Sequence, residues 1–450
     1  MKKFLKIIAV LALLLLIYLR ITIYPQLDLI SGFSAKSVAS GHFIDNRSIL
    51  IIESGDNDID KIDWAKNSIN ENEKIVTSTV YSLKERKAIY REGLGATLIN
   101  NEFDVSKTYE IPKRKFLQNN LPFPYGNLEQ KDTVFSNINY KKLNVAVTKA
   151  FDKKGIIDKR TRSVIVIYKN KIVAEKYDIG FNKNSKILGW SMTKSITATY
   201  FGILEKQGKF NINNSAPIVE WQKDERAKIT TSNLLHMNSG LEWEENYSKI
   251  CDATKMLFVE KDMTKSQIDK PFVGKPNNSW NYSSGTTNLL SGILRNQFKT
   301  HQEYLNFWYS SLLDKIGMNS ALIETDMAGN FVGSSYGWAT TRDWAKFGLL
   351  YLHKGNWNGE QLFNESWAKY VTTATKTSKG RYGAHFWLNS GGYFSDVPKD
   401  MFYASGYQGQ MVAIFPSHDL VIVRMGLSES FDFNGFLSEI VLSLTVKSTK

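Results

Sequence analysis

The chain has 450 residues, of which 42% are hydrophobic and 13% aromatic, so it is long enough to bury a large core in two lobes. Its single cysteine, Cys251, excludes an intramolecular disulfide and a cysteine-based zinc site, and its six histidines are scattered, which argues against metal catalysis. The formal net charge of +13 is spread along the chain without a nucleic-acid-binding motif. We therefore expect a basic solvated surface, compatible with an anionic membrane, and no nucleic-acid partner.

The N-terminus, residues 1–24, has the pattern of a membrane anchor or a secretory signal. Lysines precede an uninterrupted apolar run from Ile7 to Leu19. The nearest small-residue cleavage pattern, around Ser37 to Ala39, lies far beyond this run, which favours an uncleaved anchor. Lysines ahead of a span keep the N-terminus in the cytoplasm. The sequence therefore predicts a membrane-anchored, extracytoplasmic protein of the cell envelope or periplasm.

Residues 25–135 are predicted to form an N-terminal extension with short strands. Strand candidates are Ser48–Ile52, Ile75–Leu83 and Ala88–Tyr90, by their apolar or alternating patterns. Three prolines between 112 and 124 then mark an extended connection.

Residues 136–450 are predicted to form the main domain, because helices and hairpins occur at both of its ends. The elements expected there are a helix at Tyr140–Phe151, strands at Ser163–Tyr168, Ile172–Tyr177, Met411–Phe415 and Leu420–Met425, and a closing helix at Phe436–Val446 after a break at Gly435. The two hairpins are expected to share one antiparallel sheet flanked by helices, and residues 205–330 to form a mostly helical lobe. The fold class is therefore α/β, of the α+β type.

Ser191 and Lys194 stand three positions apart at the start of a predicted helix that runs to Gly208. Residues at this spacing share a helix face, so the lysine amine can reach the serine hydroxyl. A buried lysine can lose its proton and accept that of the serine, which makes the hydroxyl a nucleophile for acyl transfer. Taken alone, this spacing is explained better by a helix cap beside a solvated lysine.

A second pair with the same spacing, Ser366 and Lys369, follows Asn364 and Glu365. The segment is typical of the start of a surface helix, and no further acyl-transfer feature accompanies it. We therefore interpret Ser366 as a capping serine.

Two further segments support the first pair. Tyr282 and Ser284 lie in a loop that leads into a helix at Thr286–Leu294, and a tyrosine near a cation can act as a general acid or base. Ser405, Gly406 and Tyr407 directly precede the strand at Met411–Phe415, where backbone N–H groups can stabilise an oxyanion.

The order Ser-x-x-Lys, Tyr-x-Ser and Ser-Gly before a C-terminal strand resembles the serine β-lactamase and penicillin-binding-protein superfamily. More narrowly, the chain resembles the class C β-lactamase-related hydrolases of the 6-aminohexanoate-dimer hydrolase-like branch. The segments that carry this resemblance are Ile229–Leu241, Tyr282–Leu290, Gly333–Leu350 and Gly406–Pro416. The resemblance covers about residues 140–445 and implies a β-lactamase/transpeptidase-like fold.

The resemblance also implies roles for individual residues. Ser191 would be the acylated nucleophile, and Lys194 with Tyr282 would transfer protons. The N–H groups of Ser191 and Tyr407 would form the oxyanion hole. Ser284 and Ser405, with Gly406 beside them, would bind lysine or substrate. No metal and no organic cofactor is implied.

Two departures from the family pattern qualify this expectation. Ala404 stands where relatives have a lysine or histidine that helps to hold a substrate carboxylate, so efficient β-lactamase action is not expected. An amide or ester is the expected small-molecule substrate. In the extension, Ala39 and Ala96 stand where relatives carry cysteines, so a family disulfide is missing.

Three alternatives remain open. Gly333, Ser334, Ser335, Tyr336 and Gly337 form a Gly-x-Ser-x-Gly motif, which would indicate an α/β-hydrolase that uses one of the histidines His353, His385 and His418. The second alternative is a D-amino-acid peptidase or penicillin-binding-like protein of the cell envelope. The third is a catalytically silent binding protein of the envelope.

The substrate pocket is expected to draw on residues 243–280. The candidates there are Trp243, Tyr247, Asp252 and Phe258.

Overall fold

The computed structural model describes residues 1–126, 128–153 and 155–444. The chain divides into two compact units. Unit 1 comprises Met1–Thr108, Glu244–Met263 and Thr325–Gly329, and unit 2 comprises Tyr109–Trp243, Thr264–Glu324 and Asn330–Lys450. The domain limits expected from the sequence, at residues 24 and 135, stay predictions.

Helices occur in both units. In chain order they are α1 (Lys2–Tyr18), α2 (Tyr24–Asp45), α3 (Ile49–Glu53), α4 (Tyr140–Lys149), α5 (Met192–Lys206), α6 (Thr231–Leu235), α7 (Asp252–Phe258), α8 (Ser284–Arg295), α9 (His301–Trp308), α10 (Thr341–Leu352), α11 (Glu365–Val371) and α12 (Phe433–Val441).

Strands form four sheets in the described residues. In chain order they are β1 (Ala65–Asn70), β2 (Ile75–Val80), β3 (Leu83–Arg91), β4 (Gly95–Ile99), β5 (Thr161–Tyr168), β6 (Lys171–Tyr177), β7 (Lys186–Leu188), β8 (Leu322–Ile323), β9 (Gly337–Thr340), β10 (Asn356–Trp357), β11 (Glu360–Gln361), β12 (Trp387–Leu388), β13 (Phe402–Gly406), β14 (Gln410–Phe415) and β15 (Leu420–Gly426).

Unit 1 begins with a long apolar helix. In the described part of the chain, one helical stretch, Lys3–Asp45, contains a segment apolar and long enough to cross a membrane, and that segment is not buried. A signal sequence near an N-terminus has the same properties. The predicted N-terminal apolar helix is therefore present, and its length and composition suit a membrane anchor or a signal sequence.

The rest of unit 1 is an antiparallel sheet, in the order β1-β2-β3-β4, on which α2 packs. Small side chains on α2 allow this approach, and Ala35 and Ala39 are fully buried with Val76 and Ala88 of the sheet. Ala96 of β4 belongs to the same core. The two alanines at the positions of the family's cysteines, 39 and 96, therefore lie in one hydrophobic cluster.

The strand predicted at Ser48–Ile52 is wrong, because this segment forms helix α3. The Ser48 hydroxyl accepts a hydrogen bond from the Ile51 N–H at 3.4 Å, which is a helix N-cap. Ile52 is fully buried while Leu50 is 73% exposed, so only one side of the apolar run faces the core.

Unit 2 is built on a six-stranded antiparallel sheet in the order β12-β13-β14-β15-β5-β6. The C-terminal hairpin joins the N-terminal hairpin where β15 pairs with β5, with Val423 opposite Ile165. The predicted sharing of one sheet by both ends of the domain is confirmed, and so is the α+β fold class.

Helices cover both faces of this sheet. Met411, Ala413 and Phe415 of β14 belong to the core that contains residues of α4 and α12. Val412, between them, lies against α10, where a Cβ on Gly348 would be 2.7 Å from its Cγ1. Because neighbouring residues of a strand face opposite sides, α4 and α12 lie on one face and α10 on the other.

The closing helix begins earlier than the sequence predicts. Asp432 caps it by accepting a hydrogen bond from the Gly435 N–H at 2.9 Å, so Gly435 lies in the first turn of α12 rather than at a break. Residues 445 and 446 of the predicted helix lie outside the described residues.

Candidate active site

The chain turns sharply before helix α5, and Ser191 is the residue that immediately precedes the helix. Gly189 allows this turn, because a Cβ there would lie 2.2 Å from Cζ2 of Trp344. Trp190 adopts a positive φ of 46°, a strained backbone conformation for a bulky residue. The hydroxyl of Ser191 is thereby placed at a helix N-terminus, whose partial positive charge stabilises an anion.

Lys194 lies one turn into α5 and is only 1% exposed. Its Nζ donates to Ser191 Oγ at 2.9 Å, to Ser284 Oγ at 2.9 Å and to the Ser334 carbonyl at 2.8 Å. The amine therefore joins two hydroxyls that the sequence separates by more than ninety residues. Ser284, which opens α8, is fully buried.

The segment Gly333–Gly337 holds helix α5 in place. Thr197 Oγ1 donates to the Gly333 carbonyl at 2.9 Å, and the Gly337 N–H donates to Thr193 Oγ1 at 2.9 Å. With the Lys194 contact to Ser334, three hydrogen bonds fix the first two turns of the helix that follows Ser191.

Tyr282 stands beside the same amine. The Lys194 Nζ lies 5.0 Å from the centroid of the Tyr282 ring, within the range of a cation–π contact. The ring packs on Trp387 at 5.4 Å and on Tyr382 at 5.8 Å between centroids.

The Ser405–Tyr407 segment, at the end of β13, lies against the turn before α5. A Cβ on Gly406 would be 2.1 Å from the Gly189 carbonyl oxygen, so only glycine permits this contact. Trp190 meets the Tyr407 ring edge-on, with centroids 5.6 Å apart. The backbone of Tyr407 is thus brought next to that of Ser191.

A buried arginine supports the turn that follows Tyr407. The Arg424 guanidinium of β15 donates to the carbonyls of Gln408 and Gly409, at 3.3 and 2.7 Å. Burial lowers the pKa of Arg424 to about 9. Burial, followed by the charge of Glu429, raises the pKa of the Tyr407 hydroxyl, so this phenol stays protonated at neutral pH.

The structure therefore brings Ser191, Lys194, Tyr282, Ser284 and the Ser405–Tyr407 segment together. Sequence reasoning missed the Ser334 carbonyl as a partner of the lysine, although it singled out the glycine-rich segment that contains Ser334. It also missed the two tryptophans, Trp190 and Trp387, that pack on the site. Ala404, next to Ser405, is 1% exposed in β13 and supplies no charge.

The second serine–lysine pair lies on the surface, as predicted. Ser366 and Lys369 are both exposed on α11. The residue that precedes this helix is Asn364, so Ser366 lies inside the first turn rather than at the cap. The interpretation of Ser366 as a capping serine is therefore wrong, whereas the surface helix is confirmed.

The Gly-x-Ser-x-Gly motif does not form a nucleophile elbow. An elbow needs a strand before the serine and a helix after it. Residues 333–335 form a turn that leads into strand β9, and Ser335 is 1% exposed with its Oγ 2.9 Å from that of Ser334. His385 is buried, with Nδ1 2.7 Å from the Leu235 carbonyl and Nε2 2.9 Å from Thr287 Oγ1.

The expected pocket residues divide between the units. Trp243 lies in unit 2, where a Cβ on Gly285 would be 2.4 Å from its ring, so it packs on the start of α8. Tyr247, Asp252 and Phe258 belong to unit 1, and Phe258 packs on Phe33 at 5.4 Å. Phe258 is therefore a core residue.

The described residues were also considered for a metal site and for a cavity near the serine. No group of three or more histidine, cysteine, aspartate or glutamate side chains there is arranged to hold a metal ion. A cavity of about 840 Å³ lies at the far end of α5, lined by Ile203, Lys206 and Phe307 among others, and none of the site residues lines it.

The fold is that of the hydrolases related to β-lactamases, and comparison with known families agrees. The family model for beta-lactamase matches residues 155–432, more than half of the chain. The chain therefore belongs to the beta-lactamase family, as its resemblance implied. None of the curated proteins compared with it matches its sequence significantly.

Solved structures share this fold. A protein assigned as a 6-aminohexanoate-dimer hydrolase from Bacillus anthracis is 18% identical, over 74% of this chain and 90% of that chain, with a TM-score of 0.57. A family VIII carboxylesterase is 15% identical over 70% and 100%, with a TM-score of 0.55. A penicillin-binding protein homologue from Caulobacter crescentus is 13% identical over 68% and 97%, with a TM-score of 0.54.

Proposed function

We propose that the protein is a serine hydrolase that cleaves an amide or ester through an acyl-enzyme. The observation that carries this proposal is the buried Lys194 amine 2.9 Å from the hydroxyl of Ser191 at the start of α5. Burial disfavours the charged form of an amine, and a neutral amine at this distance can accept the hydroxyl proton. A structural or binding role requires neither the burial nor the contact.

In the first step, Ser191 Oγ attacks the substrate carbonyl while its proton passes to Lys194. The negative charge that develops on the carbonyl oxygen is received by the N–H groups of Ser191 and Tyr407. Gly406 supports this role because its contact with Gly189 places the two backbone segments side by side.

In the second step, the carbon–nitrogen or carbon–oxygen bond breaks and the leaving amine or alcohol takes up a proton. Lys194 supplies this proton, with Tyr282 and Ser284 beside it as the route to the leaving group. Water then attacks the acyl-Ser191 ester, one of its protons returns to the serine oxygen, and a carboxylic acid is released.

Ala404 supports an amide or ester rather than a β-lactam as the substrate. The side chain at this position is an uncharged methyl group, which gives no grip on a carboxylate beside the scissile bond. Similar structures are described as a carboxylesterase, a 6-aminohexanoate-dimer hydrolase and a beta-lactamase, so the preference for an amide or ester rests on Ala404.

We further propose that α1 anchors the protein in a membrane, with unit 2 outside the cytoplasm. The apolar segment of the first helix packs against no other described part of the protein. A helix of this length and composition is stable when it lies in a lipid bilayer. Extraction of membranes at alkaline pH tests this proposal. An anchored protein stays with the lipid pellet, whereas release of a shortened chain would contradict it.

Covalent labelling tests the catalytic proposal. We expect a fluorophosphonate probe to label the wild-type protein at Ser191, and Ser191→Ala to lose both the label and turnover while its melting temperature stays nearly unchanged. Ser366→Ala is the matched control and should label as the wild type does. Absence of labelling in folded wild-type protein would favour the silent binding protein.

The substrate class is then narrowed by a panel of amides, esters, β-lactams and D-amino-acid peptides. Preferred cleavage of the peptides would support the penicillin-binding-like alternative instead.

A further inference from the structure

A wall of aromatic side chains adjoins the ring of Tyr282. It consists of Trp280, Tyr382 and Trp387, whose ring centroids lie 5.1 to 6.0 Å apart. Trp387 contacts the Tyr282 ring and also stacks on Tyr403, two residues before Ser405. This aromatic wall therefore borders the strand end that faces the nucleophile.

Arg381 stands at the far end of the aromatic wall. Its Cζ lies 3.8 Å from the centroid of the Tyr393 ring and 5.8 Å from that of Trp387. The backbone fixes this position, because the Leu388 N–H donates to the Arg381 carbonyl at 2.8 Å and β12 pairs with β13. The guanidinium is therefore held beside the sheet that carries Ser405.

The donors of Arg381 are unused. Within the described residues its side chain forms no hydrogen bond and no ion pair, and its Nε is buried. Other half-buried arginines of unit 2 are paired: Arg114 bonds to Asp314 at 2.6 Å, and Arg342 to Glu175 at 2.7 Å. A stacked guanidinium with unsatisfied donors is suited to receive a carboxylate in the two-point geometry that arginine favours.

We propose that Arg381, stacked on Tyr393 and Trp387, binds a carboxylate carried by the substrate at a distance from the scissile bond. This subsite rests on the proposed function of Ser191 as nucleophile. Ala404 gives no cation next to the site, whereas Arg381 lies beyond the Trp387 ring. The substrate is therefore an amide or ester whose carboxylate is separated from the reacting carbonyl by an apolar chain that crosses the aromatic wall.

Matched ester pairs test this subsite. The mono-p-nitrophenyl esters of adipic and suberic acid carry a distal carboxylate, and p-nitrophenyl hexanoate and octanoate are their neutral counterparts. In Arg381→Gln, we expect kcat/KM for the carboxylate esters to fall about 10- to 100-fold, through KM, while the neutral esters change less than about twofold. Arg381→Lys should be intermediate because lysine lacks the planar fork.

The control is Lys376→Gln, which removes one exposed positive charge from the same loop and should leave the ratio of the two ester classes unchanged. An equal fall for both ester classes in Arg381→Gln would show a structural role, and an unchanged ratio would show that the carboxylate does not bind there. Either result overturns the subsite.

A second measurement does not depend on turnover. Free adipate should slow the phosphonate labelling of Ser191 in the wild type and fail to do so in Arg381→Gln, with hexanamide as the neutral competitor. Absence of labelling in the wild type contradicts the proposed function itself. Labelling that adipate does not slow, together with an unchanged ester ratio, contradicts the subsite alone.

Discussion

Two serine–lysine pairs in this chain have the same spacing and opposite surroundings. Ser191 and Lys194 begin a helix that is buried along nearly all of its length, and the lysine amine contacts three oxygens. Ser366 and Lys369 begin a helix that shows both side chains to solvent. The shared spacing places serine and lysine on one face of the helix in both pairs. The surroundings of that face, buried in one pair and solvated in the other, determine whether the two side chains can react together.

Burial explains the difference between the two lysines. Lys369 is exposed, so water competes for its amine and for the neighbouring serine hydroxyl. A buried lysine whose neighbours are hydroxyls and a carbonyl loses the hydration that favours its charge. The buried surroundings of the first pair therefore support the proposed nucleophilic role, whereas nothing around the second pair supports one.

The largest expected effect comes from removing the buried amine. We expect Lys194→Met to reduce kcat/KM by about 10³-fold, within the range for loss of a general base, because methionine fills the space and cannot accept a proton. Lys369→Met is the matched control and should stay within about twofold of the wild type. Initial rates on an activated ester measure both.

If Lys194→Met keeps most of its activity, the contact of Lys194 with Ser191 is structural, and the two pairs differ only in how deeply they are buried. Melting temperatures accompany the rates, since a loss of folded protein would also lower activity.

A smaller effect is expected from the contact that brings β13 to Ser191. Gly406→Ala places a methyl group where the Gly189 carbonyl lies, so the strand end must move. Displacement of a catalytic group by about 1 Å can cost about 10²-fold in rate, and we expect a loss of that order in kcat. Gly274→Ala is the control, because its added Cβ meets no atom closer than 3.7 Å.

This pair of variants distinguishes an effect on the oxyanion hole from an effect on the nucleophile. Phosphonate labelling should be slowed in Gly406→Ala but should still occur at Ser191. Wild-type rates in Gly406→Ala would contradict the assignment of the Tyr407 N–H to the oxyanion hole.

The sequence could single out the segments that come together at the candidate site, because each of them is short and has a local pattern. Ser191 with Lys194, Tyr282 with Ser284, and Ser405 with Gly406 are each readable within a few residues. The hairpins of the six-stranded sheet were also predicted, since alternation and turn residues are local signals.

Other features depend on contacts between distant residues. The Ser334 carbonyl meets Lys194 only after folding. Arg381, whose side chain forms no hydrogen bond or ion pair in the part of the chain that the structure describes, has no sequence signature. The segment Ser48–Ile52 has a strand-like composition, yet the cap at Ser48 and burial of one side select a helix. Local sequence pattern therefore indicated the candidate serine–lysine pair, whereas tertiary packing determined that the Ser334 carbonyl and Arg381 lie near it.

The smallest expected effect on catalysis concerns His385, which the nucleophile-elbow alternative would make essential. Burial lowers the pKa of His385 to about 3 from 6.5. Because a carbonyl only accepts, Nδ1 carries the proton given to Leu235, and Nε2 accepts from Thr287. The folded state thus favours the neutral imidazole. The resulting contribution of His385 to the free energy of unfolding is complete above pH 6.5, and it decreases as the pH falls toward 3 because the unfolded chain then binds a proton more readily.

We expect His385→Asn to be about 1–3 kcal/mol less stable at neutral pH, because one buried hydrogen bond is lost, and to lose less further stability on acidification than the wild type does. Asparagine tolerates the positive φ of 60° at this position. Denaturant unfolding at several pH values measures the effect, and activity should stay within a few-fold of the wild type. His418→Asn, in the half-buried turn between β14 and β15, should leave activity unchanged. Abolished turnover in a stable His385→Asn protein would restore histidine to the mechanism, whereas lower stability with activity kept assigns the imidazole to a structural role through its bonds to Leu235 and Thr287.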